Sequence, residues 1–159
     1  MKSTSAFLIV TAALTVGAAN AQNAPATAPA TTPSQEASTP APPGLGEIMT
    51  LQQLRHIKVW FAGRAGNWPL ADYEIGELQE GFEDVNNLLG GGTVDKEVGA
   101  PIKALQKAID AKDPATFATA FDGLSAGCNA CHHLLDHPFI VIQRPTLLPY
   151  SDQNFAPQK

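Results

Sequence analysis

The chain is poor in cysteine: only Cys128 and Cys131 occur in its 159 residues. A structural zinc site needs four ligands, so without a second cysteine pair a zinc ion would lack its further partners. Methionine is equally scarce, and Met49 is the one that does not begin the chain. No apolar run reaches the roughly 20 residues that cross a bilayer. Positive charge is in deficit, with 10 Lys and Arg against 15 Asp and Glu. Nucleic acid is usually met by a basic face, so this balance argues against it, and anionic membrane surfaces are disfavoured for the same reason. The period-2 alternation of half-buried strands is missing too, which points to an all-helical chain.

The first residues do carry a pattern. Lys2 is followed by an apolar run from Ala6 to Val16 and by small residues ending in Ala19-Asn20-Ala21. This is the order of a secretory signal peptide over 1–21, cut before Gln22, and it implies export to the periplasm. Residues 22–43 are rich in Ala, Pro and Thr with only Glu36 charged, a composition that cannot offset its ordering entropy and reads as a flexible linker. The remainder suffices for one small domain over 44–137 and a tail over 138–159. Without Lys2 the formal charge becomes 9 minus 15, or −6.

Four helical periods follow. The first spans Leu45 to about Gly63, with Leu45, Met49, Gln52, His56, Val59 and Trp60 on one side and Leu54, Ile57 and Phe61 on another. A helix apolar on two faces is covered on both, within a crowded bundle or by a dimer contact. The second begins at Asn67-Trp68-Pro69, a cap and a first-turn proline. It carries the seam Ala71, Ile75, Leu78, Phe82, Val85 and Leu89 before Gly90-Gly91-Gly92 stops it. Its acidic faces are either solvated or a docking surface for a basic partner. The third runs from about Asp95 to Ala111, with Pro101 kinking it or marking its true start. The fourth starts at Asp113-Pro114 and carries Phe117, Phe121, Leu124, Cys128, Cys131 and Leu135 on one seam. Short connections between four helices favour an up-and-down antiparallel four-helix bundle. From Pro138 onward an extended tail laid over the bundle is expected.

Residues 128–132 read Cys-Asn-Ala-Cys-His, the C-x-x-C-H attachment signature of c-type haem. Thiols three apart on a helix stand on one face and can each join one haem vinyl group. The adjacent His132 then offers a nitrogen to the iron as proximal ligand. A disulfide between the two cysteines would close a tiny loop and leave His132 unexplained. A thioredoxin-like redox pair would need a βαβ pattern that is not there.

A C-x-x-C-H on the last helix of a four-helix pattern resembles the cytochrome c′ family and its low-spin relatives, over about residues 45–137. The Arg55 to Trp60 run and the tail depart from that family's pattern. The resemblance implies one covalent haem c, with the first helix facing the side of the haem opposite His132, and it suggests a homodimer packed through the first two helices. Met49 and His56, seven apart on that helix, are the candidates for the distal position. Met49 would raise the reduction potential and suit electron transfer with redox partner proteins, whereas His56 would give a lower-potential haem. An open distal position would instead bind a gas such as nitric oxide. A haem subunit of a larger redox complex is a third reading. His133 and His137 are read as non-ligands. Arg55, Lys58 and Arg144 are candidates to meet the haem propionates. No separate acid, base or nucleophile accompanies the motif, so an enzyme is not expected.

Overall fold

The computed structural model describes residues 41–159, so the expected signal peptide and nearly all of the expected linker lie outside the described residues. The described residues form four helices: α1 Leu45–Arg64, α2 Trp68–Leu89, α3 Thr93–Asp110 and α4 Pro114–Leu134. No strand occurs among the described residues, and residues 135–159 follow without further helix. Among the described residues no helix is long and apolar enough to cross a membrane.

The helix starts have local causes. The Asn67 side chain accepts a hydrogen bond from the Leu70 amide at 3.3 Å, and Asp113 accepts from the Ala115 amide at 3.0 Å. Each satisfies one of the amides that a first turn leaves without a helical partner. The start of α3 departs from expectation, because the helix begins at Thr93 and its boundary residue is Gly92, in the left-handed region. Asn86, near the end of α2, takes the capping role. Its Oδ1 accepts from the Val94 amide at 3.2 Å while its Nδ2 donates to Asp95 at 2.9 Å.

Pro101 lies inside α3 rather than at its start. Having no N–H, it leaves the Glu97 carbonyl without its helical donor. Gly127 of α4 packs against that carbonyl so closely that a Cβ there would sit 2.6 Å from the oxygen. The proline thus exposes a backbone group, and the glycine next to the cysteine motif approaches it.

The core is built from Val59 of α1, Ile75, Leu78 and Val85 of α2, Leu105 and Ile109 of α3, and Phe117, Phe121 and Leu124 of α4, all essentially without solvent contact. Trp60 and Trp68 pack on the two phenylalanines, with ring centres 4.9 Å (Trp60 to Phe121) and 5.9 Å (Trp68 to Phe117) apart. The expected α2 seam is buried or half-buried except for Leu89, which is the last residue of the helix and is exposed. α1 packs mainly on α2 and α4 mainly on α3, and of the four neighbouring helix pairs α1 and α4 meet least.

The tail lies along that thin seam. Arg144 reaches Asp122 of α4 at 3.1 and 2.5 Å and sits over the Trp60 ring of α1 at 4.5 Å. Tyr150 donates to the Leu54 carbonyl at 3.4 Å, and the buried Phe155 meets Phe61 edge-on at 6.4 Å. The second apolar face of α1 is therefore met by Tyr150 and Phe155, while Ile140 and Ile142 lie against α4.

Candidate functional site

A cavity of about 450 Å³ opens between the helices, within the range of about 300–1,000 Å³ usual for small-molecule and cofactor sites. Met49 and His56 of α1, Leu78, Phe82 and Val85 of α2, Val94 and Val98 of α3, and Leu124, Cys128, Cys131 and His132 of α4 line it. His137, Ile140 and Ile142 of the tail complete the wall. Every residue singled out as a haem attachment or iron-ligand candidate therefore faces one space, and the wall is mostly aliphatic.

Both cysteines are unpaired thiols. Burial, with a smaller contribution from Cys131, pushes the Cys128 thiol up to about 12, and burial also raises that of Cys131. Neither thiol is ionised near neutral pH, so neither is poised as the thiolate nucleophile of disulfide exchange. Among the described residues no group of three or more His, Cys, Asp and Glu side chains is placed to hold a metal.

The protonation of His132 follows from geometry. Its Nδ1 lies 2.9 Å from the carbonyl oxygen of Ile140. A carbonyl only accepts, so Nδ1 carries a proton and donates it, and in the neutral ring the lone pair is therefore on Nε2. A metal-ligating histidine commonly has its other ring N–H held in this way, by a carboxylate or a backbone carbonyl.

His56 is differently engaged. It is 4 % exposed and packs against Phe121 with ring centres 4.3 Å apart and the planes tilted by 38°. Ser125 Oγ donates to the Phe121 carbonyl at 3.1 Å, so its single proton is committed and the His56 Nε2–H donates to Ser125 Oγ at 2.9 Å. Burial lowers the His56 pKa to about 4, which keeps the ring neutral. To present Nε2 to an iron it would have to release Ser125. Met49, half-buried in the cavity wall, makes no side-chain hydrogen bond among the described residues.

The cations fall elsewhere. Arg55 pairs with Glu77 at 2.8 Å, Lys58 with the buried Glu74 at 3.3 Å, and Arg144 with Asp122; none of the three lines the cavity. The polar part of the wall is Thr50, Gln52, Gln53, His56, His132 and His137. His133 is exposed and outside it.

Sequence reasoning missed Ser125, Ile140 and Asn129. Ser125 stands three residues before Cys128 on the same helical face, a signal available in the sequence. Ile140 acts through its carbonyl, for which the sequence carries no signal. The chain matches no protein-family model, no curated protein and no solved structure.

Proposed function

We propose that the protein is a monohaem c-type cytochrome that transfers electrons between redox partner proteins in the periplasm. It would be a divergent relative of the cytochrome c′ family, with α1 to α4 running up and down. The cavity draws on the starts of α1 and α3 and on the ends of α2 and α4, which supports that topology. The observation that carries the reading is the convergence of Cys128, Cys131 and a His132 with Nε2 free on a single apolar cavity.

In this reading the thiols of Cys128 and Cys131 form the two thioethers, the thiol form being the one their burial favours. His132 Nε2 is the proximal ligand and Met49 the distal one, with His56 held back by Ser125. A haem so placed supplies a one-electron couple. The surrounding Leu78, Phe82, Val85, Val94, Val98 and Leu124 exclude water, which strengthens every electrostatic effect at the site. No Lys or Arg belongs to the wall, so the haem carboxylates fall to the exposed Thr50 and Gln53 and to His137.

The mass of the mature protein, made in cells competent for cytochrome c maturation, tests the attachment, and a mass without haem refutes it. Absorption spectra test the ligation. Oxidised protein should show the weak near-infrared sulfur-to-iron band, and reduced protein should be indifferent to carbon monoxide. Ready binding of carbon monoxide by the wild type would replace electron transfer with gas binding.

A further inference from the structure

The chain turns sharply after α4. Leu135 ends the helix, Asp136 takes a left-handed conformation at φ 61°, and the His137 amide donates to the His132 carbonyl at 2.7 Å. The Ile140 amide then donates to the His137 carbonyl at 3.0 Å, which brings the Ile140 carbonyl back over the His132 ring. Two residues further on, the chain is clamped. Asn129 Nδ2 donates to the Ile142 carbonyl at 2.8 Å, and the Ile142 amide donates to Asn129 Oδ1 at 2.7 Å. The asparagine amide pairs with the Ile142 peptide as a neighbouring strand would. It occupies the first variable position of the Cys-x-x-Cys-His motif, so the residue that fixes the tail and the histidine that the tail holds lie within one turn of α4.

We infer that Asn129 is a positioning residue for His132: by fixing Ile142 it sets the register of the tail, and the tail's Ile140 carbonyl then holds the His132 Nδ1–H. The inference rests on His132 being the proximal ligand, and it assigns to the tail the tuning of that ligand. A held Nδ1–H fixes the ring orientation and makes the imidazole more basic, which favours the oxidised iron. Loss of the clamp should therefore raise the reduction potential. The histidine would stay in place but become a weaker donor.

The test uses full-length haem-loaded protein in three variants. Asn129→Ala removes both clamp bonds. Ile142→Pro removes the amide that donates to Asn129 and trims one apolar side chain of the cavity wall, but leaves the motif untouched. Tyr150→Phe loosens the tail farther on without touching the clamp. The oxidised-to-reduced ratio at fixed ambient potential should fall about tenfold in Asn129→Ala, equivalent to about 59 mV for a one-electron couple. Ile142→Pro should shift it less, and Tyr150→Phe not at all. In the reduced wild type the His132 Nδ1 proton should give a slowly exchanging NMR resonance that is lost in Asn129→Ala. A rapidly exchanging wild-type proton, or equal potentials across wild type, Asn129→Ala and Ile142→Pro, overturns the inference while leaving the haem reading intact. Absence of haem from the wild type overturns the reading itself.

Discussion

Acid should weaken this fold through His56. In the folded chain the ring is buried and its pKa is held at about 4, against 6.5 for a free histidine, with desolvation as the cause. Between those values the unfolded chain binds a proton that the folded chain refuses. Stability is therefore complete above about pH 6.5 and is lost as the pH falls toward 4. At 1.36 kcal/mol per pKa unit, the loss relative to pH 7 is about 2 kcal/mol at pH 5 and about 3 kcal/mol at pH 4. His56→Gln keeps an N–H that can donate to Ser125 but does not titrate. Denaturant midpoints of wild type and variant, measured from pH 7 to 4, isolate the histidine from the carboxylates that titrate in both. The two curves should be separated by a difference that grows toward acid by those amounts. Parallel curves would refute the reasoning, because they would mean that His56 accepts its proton as readily folded as unfolded.

Met49→Ala should abolish the near-infrared band and open the iron to carbon monoxide, whereas His56→Gln should leave the band in place; the reverse pattern in their spectra would make His56 the distal ligand. Gly127→Ala drives a Cβ to 2.6 Å from the Glu97 carbonyl, a backbone group that cannot swing aside, and should cost about 1–3 kcal/mol in a denaturant titration. Phe117→Ala empties a fully buried site shared by Trp60, Trp68 and Phe121 and should cost about 3–5 kcal/mol by the same measurement. Light scattering at high concentration should report a monomer, since Phe155 already occupies Phe61; a stable dimer would return the exposed Leu51 and Tyr73 to an interface through α1 and α2.

What could be read from the sequence was what is local. Asp113-Pro114 and Asn67-Trp68-Pro69 mark helix starts because cap and first turn are neighbours in the chain, and both lie where the structure has them. The start of α3 was misplaced by two residues because its cap comes from Asn86, on the preceding helix across the glycine turn. The inward side of α1 followed from period alone. The engagement of His56 did not, since Ser125 is 69 residues away. Arg55, Lys58 and Arg144 looked free in the sequence, and only folding supplies their carboxylates from α2 and α4. The partner of His132 is a carbonyl in a segment without periodicity, and backbone groups leave no mark in a sequence.

The tail's bonds to α1 and to the turn before α2 also bear on the order in which the molecule assembles. Asn67 to Ala156 and Tyr150 to Leu54 span 89 and 96 residues, among the longest closures in the fold. Each bond is weak, and the loop it closes carries the larger entropy cost. The four helices have mostly nearer neighbours to find, so the tail should dock last and open first, well below the free energy of global unfolding. Amide exchange in residues 143–156 should then be faster than in α4, whereas residues 137–142, whose partners on α4 lie only 8 to 13 residues away, should stay closed over His132 when the rest of the tail opens.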